Sequence, residues 1–560
     1  MVSNLRTFLY PVLFLLSLHT ASAQAIAFDP REATIASTHH SLYTGLATCR
    51  EVVSSFLSRI EALNNHTNAI LSLNPHALDL ADQYDARLKA NNGSFGPLFC
   101  IPTLLKDNYD TADIPTTGGN LALAHSRPSV DAPATAALKK AGAIILGKAN
   151  LHELALEGLS VSSLGGQTID PYDSSRTPGG SSGGTGASVA ASFAVWGTGT
   201  DTVNSLRSPA SANSLFSCRP TRGLISRTGI IPISYTQDVI GPIARCVEDV
   251  ATALTVMASI GFDAADNATA LVPSGIRGFD YAASLSQGSL KGLRLGLIEG
   301  FFNRTASSET TPVNDAMAQL TAKLRGAGAT VVSITDSLYN ATAIAALDTQ
   351  RYEYRELMDA YLQRPSLKGQ HPDTLNELYA TPPGEFLVIP SQYEYVTTAL
   401  VSSTGNQTWE AKPSYDALQH GLRNLTLALQ ETFTKQKLDA LIYPEQKNLV
   451  VPIGSPSQSG RNGILAALTG SPVVTVPVGF SPATATAPEG VPIGMEILGL
   501  PWTDGLLLQI AHEMQEKLGR VRKTPGWAKE VVGVKAYAGG VPTVTPNRGN
   551  IPPAYPIGVL

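Results

Sequence analysis

Residues 177–210 read TPGGSSGGTGASVAASFAVWGTGTDTVNSLRSPA. The block Pro178-Gly179-Gly180-Ser181-Ser182-Gly183-Gly184 sets four glycines around two serines, a composition that opens backbone conformations closed to other residues and lets another chain approach closely. Gly180 to Gly184 spells Gly-x-Ser-x-Gly, the nucleophile elbow of a different hydrolase fold, with Ser182 in the nucleophile position. An elbow needs a buried strand directly before it. Ser174-Ser175-Arg176-Thr177-Pro178 is polar loop, so that reading fails on context. A phosphate-binding loop fails as well, because no Gly-Lys-Ser/Thr follows at the required spacing. Thr185 to Trp196, small and apolar after the glycines, reads as a buried helix. Gly199 to Ala210 then places Ser205 after a tight polar turn, where a hydroxyl is held exposed with backbone N–H groups turned towards it. Such groups form an oxyanion hole, often the largest single term in acyl transfer.

Upstream, Gly96 to Asn108 ends an apolar run on Lys106. A lysine there is desolvated, which disfavours its charged form and suits it to act as a base. The plainer alternative is an ion pair with its neighbour Asp107. Residues 47–90 read as helices, with Val52, Val53, Phe56, Leu57 and Ile60 at helical spacing and Ala77, Leu78, Ala81 and Leu88 following. Ala132 to Lys140 suits a short helix, and Ala143 to Leu146 a buried strand that Gly147 ends, the alternation of an α/β protein. Gly292–Ile298, Leu438–Tyr443, Val473–Val478 and Ile493–Leu498 are further core strands. Ala316–Leu324 and Leu506–Leu518 suit amphipathic helices, and residues 340–435 are mostly helical in pattern. The chain shows no interior linker and no fixed-period repeat, which favours one domain of unusual size, residues 24–520, followed by a Pro-rich tail over 521–560 that wraps the surface.

Taken together these segments resemble the amidase signature family, whose serine–glycine block and nucleophile stand 24 residues apart, as Ser181 and Ser205 do. The family's lysine falls on Lys106. Gly142 to Asn150, Gly165 to Pro178, Gly223 to Gly241, Lys291 to Leu297, Gly470 to Phe480 and Val491 to Gly499 share in the resemblance, which runs from about residue 30 to about 520 and is weakest between 300 and 440. It implies a single large α/β domain with a mixed, twisted sheet of about eleven strands enclosed by helices. It implies a hydrolase of linear, non-peptide carboxylic amides that works through an acyl-enzyme and needs no cofactor or metal. Ser205 is then the nucleophile, Ser181 the relay, preceded by a cis peptide bond, and Lys106 the neutral base. The N–H groups of Thr202, Val203, Asn204 and Ser205 hold the oxyanion, while Ser182, Asp201 and Arg207 match supporting positions and Ala155 a pocket position. Tyr352, Tyr354, Tyr379, Tyr393 and Tyr395 are candidates to line an apolar pocket, or sit half-buried against helices.

Three departures mark a divergent, fungal-type branch. Val203-Asn204 stand where the family usually has two glycines, Cys100 where glycine is common, and Ile169-Asp170 precede Pro171 where asparagine is usual. Two other readings use the same fold: an esterase or transacylase on the same triad, and a catalytically silent binding protein. Amidotransferase subunits that release ammonia for a partner enzyme resemble the family too, but an export signal argues against that role.

That signal lies in residues 1–23. Arg6 gives a positive start, Phe8 to Leu18 an apolar run too short to span a bilayer, and Ala21-Ser22-Ala23 a cleavage pattern, so the exported chain begins at Gln24 and carries no membrane anchor. Asn65, Asn92, Asn267, Asn303, Asn340, Asn406 and Asn424 each open an N-glycan acceptor triplet. Cys49, Cys100, Cys218 and Cys246 allow three complete pairings or remain buried thiols. The net charge of -5, with no long basic run, argues against a nucleic-acid partner, and the resemblance implies a small-molecule amide as the expected one.

Overall fold

Thr48 begins helix α1 (Cys49–Leu63) with a capping box: its hydroxyl accepts the Glu51 N–H while the Glu51 carboxylate accepts the Thr48 N–H. The stripe Val52, Val53, Phe56, Leu57 and Ile60 is fully buried, as its spacing requires. The computed structural model describes residues 28–90, 95–382, 384–405 and 413–560. After α1 come helices α2 (Ala77–Lys89), α3 (Pro133–Lys140), α4 (Gly183–Ala190), α5 (Arg207–Ala212), α6 (Val247–Ala258), α7 (Thr311–Gly326), α8 (Gln350–Leu362), α9 (Tyr415–Gln436), α10 (Ile464–Thr469) and α11 (Asp504–Lys517).

They enclose one sheet of eleven strands: β1 (Ile70–Leu73), β2 (Ile101–Lys106), β3 (Ala143–Ala149), β4 (Trp196–Asp201), β5 (Phe216–Arg219), β6 (Val239–Ala244), β7 (Arg294–Ile298), β8 (Thr330–Ile334), β9 (Ala440–Pro444), β10 (Val473–Phe480) and β11 (Pro492–Leu498). The strand order is β1-β3-β2-β4-β6-β5-β10-β11-β9-β7-β8. β3, β2 and β4 run parallel at one end and β9, β7 and β8 at the other, with antiparallel pairs between. Both faces are covered, which is why the strands read as nearly continuous apolar runs. In β9, Ala440 and Ile442 join one hydrophobic cluster with α1, α6 and α7, while Leu441 and Tyr443 join another with α9 and α10.

Several sequence expectations change here. Residues 47–90 are not all helical, since β1 lies between α1 and α2 and pairs antiparallel with β3. A four-residue apolar run carries too little periodicity to separate strand from helix. Gly147 does not end the buried strand but lies within β3. A Cβ there would stand 2.1 Å from the Ser72 carbonyl oxygen, so glycine serves close approach and not termination. The helix expected over Thr185–Trp196 covers Gly183–Ala190, and Trp196 opens β4. β4 reads WGTGTD, and its glycines answer crowding that no sequence period reports: a Cβ at Gly197 would meet Thr185 at 2.7 Å, and one at Gly199 the Leu206 side chain at 2.7 Å.

Cys49 pairs with Cys100, and Cys218 and Cys246 are free. Cys100 has φ of 58°, so it keeps the left-handed conformation that glycine would hold at this position. Residues 521–560 contain only short 3₁₀ turns and run across the surface. Trp527 Nε1 donates to the Pro171 carbonyl at 2.9 Å, the Asn547 N–H donates to Asn68 Oδ1 at 2.9 Å, and Tyr555 donates to the Ser455 carbonyl. Asn65, Asn267, Asn303, Asn340 and Asn424 are all exposed, while Asn92 and Asn406 lie outside the described residues, as does the 1–23 segment. No helix among the described residues is long and apolar enough to cross a membrane.

Candidate active site

β2 and β4 run parallel, so their C-terminal ends emerge side by side at one edge of the sheet, where open α/β sheets place their sites. Lys106 closes β2, and Thr200 and Asp201 close β4. Lys106 is fully buried. Its Nζ donates to Thr200 Oγ1 at 2.8 Å and stands 2.7 Å from Ser181 Oγ. Desolvation pulls the amine down to about 7, against smaller opposing pulls from Asp201 and Asp238. Asp107 is not its partner. Adjacent strand residues face opposite ways, and Asp107 instead pairs with buried Lys148 at 3.3 Å. Ser181 follows a cis peptide bond after Gly180, and its carbonyl accepts the His152 N–H at 3.0 Å. Ser182 opens α4 fully buried, donating to the Thr200 carbonyl at 3.3 Å; it lines none of the cavities described below. No strand stands directly before it, as an elbow would need.

The loop 202–206 joins β4 to α5 and is held from below by charge. Asp201 accepts from Arg207 Nε and Nη2 at 3.0 Å each, from Arg219 Nη1 at 2.6 Å, and from the Leu206 N–H at 3.0 Å. Despite burial, the two guanidiniums hold Asp201 down at about 2. Arg207 also pairs with Glu496 at 2.8 Å and donates to the carbonyls of Val203 and Gly463. The Val203 carbonyl is turned onto this clamp, and the Thr202 and Asn204 carbonyls are taken by Gln237 and by the N–H groups of Arg207 and Ser208. Among the described residues the N–H groups of Thr202, Val203, Asn204 and Ser205 donate to no protein acceptor. Four successive orphan N–H groups demand a ligand or solvent acceptor.

Val203 and Asn204 satisfy this geometry without glycine, since neither has positive φ. Asn204 turns away from the loop's open side and donates to Glu445 Oε1 at 2.7 Å, with Glu445 pushed by burial up to about 8. The required space comes from across the site. A Cβ on Gly463 would stand 2.4 Å from Asn204 Cβ and 2.6 Å from the Val203 carbonyl oxygen. Asp170 resolves another departure. Its carboxyl accepts the Tyr172 and Asp173 N–H groups, and burial drives it strongly towards the neutral form, a close match in shape to asparagine.

Ser205, 7% exposed, opens with Thr202, Val203 and Ala155 onto a cavity of about 300 Å³. Its hydroxyl has no protein hydrogen-bond partner among the described residues. Most of the remaining wall is polar, with Glu157 paired with Arg461 at 3.1 Å, Asp348, Gln350, Arg351 and Gln392, and Leu156 lines it as well. Of the five tyrosines only Tyr395 reaches this cavity. Tyr354 and Tyr379 lie in a buried cluster with Phe386, Tyr393 packs against it, and Tyr352 donates to the Pro413 carbonyl at 2.7 Å. An apolar tyrosine-lined pocket is therefore absent from the Ser205 cavity; the helical register of 350–401 sends those rings into the core. Sequence reasoning missed Thr200, Arg219, Glu445, Glu496 and Gly463. Thr200 was visible as a polar residue inside the quoted segment, Arg219 lies just beyond it on β5, and the others come from distant strands and loops. One further cluster, Glu248, His512 and Glu516, brings ligand-type atoms within 4.8 Å of one another, on α6 and α11 and away from the Ser205 cavity.

The family model described as Amidase matches residues 51–508. A glutamyl-tRNA(Gln) amidotransferase subunit from Alkalilimnicola ehrlichii is 31% identical over 513 residues, covering 88% of this chain and 99% of the relative. Among solved structures, the native peptide amidase from Stenotrophomonas maltophilia matches with a TM-score of 0.74 at 32% identity, covering 88% of this chain and 98% of that one. An amidase family protein from Bacillus anthracis matches with a TM-score of 0.74 at 26% identity, covering 91% and 95%.

Proposed function

The chain belongs to the amidase signature family and is an enzyme acting on carbon–nitrogen bonds, and from that premise we propose that it is an exported hydrolase of linear, non-peptide carboxylic amides using Ser205, Ser181 and Lys106. The observation that carries this reading is the pairing of a sealed lysine held near 7, 2.7 Å from Ser181 Oγ, with a serine that opens onto a cavity beside four unpartnered N–H groups.

Ser205 Oγ attacks the amide carbonyl carbon. Its proton passes to Ser181 Oγ, whose own proton passes to the neutral Lys106 amine. The oxyanion is held by the loop N–H groups. As the carbon–nitrogen bond breaks, the proton returns through Ser181 to the leaving amine. Water then attacks the acyl-enzyme along the same relay, and the carboxylic acid departs with Ser205 restored. Asp201, Arg207 and Arg219 hold the loop that carries these N–H groups, and Ser182 braces α4 against β4.

The polar walls favour a polar substrate over a long apolar one. The peptide amidase relative fits that expectation by its name. Relatives named for an amidotransferase share the family, but the leader in residues 1–23 favours an exported enzyme over that role. The Cys49–Cys100 bond and five exposed acceptor asparagines are compatible with an oxidising, glycosylating route. Mass spectrometry after a fluorophosphonate label tests the chemistry: the tag is expected on Ser205, and a tag on Ser182 overturns the assignment. Matched amide and ester substrates separate an amidase from an esterase. Terminal sequencing of protein recovered from the medium is expected to begin at Gln24.

A further inference from the structure

A second cavity, of about 270 Å³, shares no lining residue with the one beside Ser205. Its body is apolar, formed by Phe216 of β5, Val476 and Val478 of β10, Leu320 of α7, Met514 of α11, and Val521. Its lining also carries four cations, Arg245, Lys323, Arg520 and Arg522, against two carboxylates, Glu32 and Glu516. Glu32 is already committed, accepting from Arg522 Nε at 2.9 Å, Arg522 Nη2 at 2.6 Å and Arg520 Nη2 at 2.7 Å. Glu516 is exposed at the rim and accepts from Gln515 Nε2 at 3.4 Å.

Arg245 is the incompletely bonded group. It is 3% exposed, its two Nη groups donate to the carbonyls of Val189, Ala194 and Ala33, and its Nε–H has no partner among the described residues. Asp249 on α6 does not neutralise it fully, because that carboxyl is bonded to the Ile35 N–H and burial pushes it up to about 7. Glu32 acts on Arg245 through space but gives it no hydrogen bond. A buried guanidinium whose direct bonds all go to neutral carbonyls, with one N–H left over, costs stability unless an acceptor arrives.

We propose that this cavity is a second ligand site, separate from the Ser205 cavity, for a small amphipathic carboxylate whose apolar body lies against Leu320, Val476 and Met514 and whose anionic head meets Arg245 and Lys323. The volume is close to the lower end of ordinary small-molecule sites, about 300 Å³, so the ligand is of one-ring or short-chain size. An apolar lining with few convergent charged groups is what such sites require. The inference does not depend on the amidase reading, since no residue of the proposed triad takes part.

The test is isothermal titration of the full-length protein with 4-phenylbutyrate, with 4-phenylbutan-1-ol as its uncharged counterpart. One equivalent of the carboxylate is expected to bind, equally before and after covalent labelling of the active-site serine, and the alcohol about tenfold more weakly or less, the loss expected for one charged contact. Lys323→Glu, at an exposed position, reverses one charge and is expected to weaken the carboxylate about tenfold without changing basal turnover. Leu320→Trp fills the cavity and is expected to abolish binding. No binding at millimolar carboxylate, equal binding of the alcohol, or unchanged binding in Lys323→Glu overturns the proposal, and this last variant decides the matter if Leu320→Trp does not fold.

Discussion

Replacing Lys106 with methionine separates what the lysine does for chemistry from what it costs the fold. The side chain stays unbranched and only one atom shorter, but loses its amine. In the folded protein the amine is held near 7 against an ordinary value of 10.5, and at about 1.4 kcal/mol per pH unit this is a disadvantage of about 5 kcal/mol for the protonated form. The folded value lies below the unfolded one, so the unfolded chain binds the proton more tightly. Stability is therefore full above pH 10.5, falls as the pH drops towards 7, and is flat below. Lys106→Met removes that slope. It also removes the contacts to Ser181 and Thr200 at 2.7 and 2.8 Å, which together are worth about 2–4 kcal/mol if neither hydroxyl finds a new partner. The balance is a variant more stable than the parent by about 1–3 kcal/mol at pH 7 and less stable near pH 10. Its amide turnover should fall by about 10²–10⁴, the usual contribution of a general base. Thermal midpoints at pH 7 and pH 10, measured with turnover on one preparation, give both answers. A variant several kcal/mol less stable than the parent at pH 7, or one with unchanged turnover, refutes the buried neutral base.

The pH profile of the parent enzyme follows from the same group: kcat/KM should fall about tenfold per pH unit below about 7, and a flat profile down to pH 5 would exclude Lys106 as the titrating base. Asp201→Asn leaves Arg207 and Arg219 buried without their shared carboxylate; a loss of about 3–5 kcal/mol in stability, with collapse of turnover, is expected from denaturation and rate measurements. Gly463→Ala should spare the thermal midpoint more than the rate, because the new methyl group meets Asn204 at 2.4 Å and displaces the donor loop; a loss of about 10²-fold in kcat is the scale of a 1 Å misplacement. Reducing the Cys49–Cys100 bond, which closes a separation of 51 residues, should cost about 4 kcal/mol on loop-closure grounds, read as a drop in midpoint with reductant that Cys49→Ser abolishes.

Much of the site was legible because its residues are close in sequence. The segment 177–210 contains Ser181, Ser182, Thr200, Asp201, Ser205 and Arg207 in a single run, and Lys106 stands out as a charge ending an apolar stretch. The parallel pairing of β2 with β4 then brings that lysine to the segment. Strands with mostly apolar runs, such as β10 and β11, were also plain. β1 and β4 were not, one being too short and the other built on glycine and threonine, so neither carries the periodicity that marks a strand.

What the sequence determined by itself is the chemistry offered: two serines, a desolvated lysine and a loop of N–H donors, on an α/β chain of apolar strands. These depend on local composition and short spacing, which a one-dimensional reading can follow. The tertiary structure alone decided how the loop bears Val203 and Asn204, since Glu445 and Gly463 arrive from more than 240 residues away to bond one side chain and make room for it. It alone paired Cys49 with Cys100, sent four of the five tyrosines away from the Ser205 cavity, and left that cavity polar. Contacts of this kind are set by how layers of the fold pack, and no local pattern encodes which distant backbone must be bare for another side chain to fit.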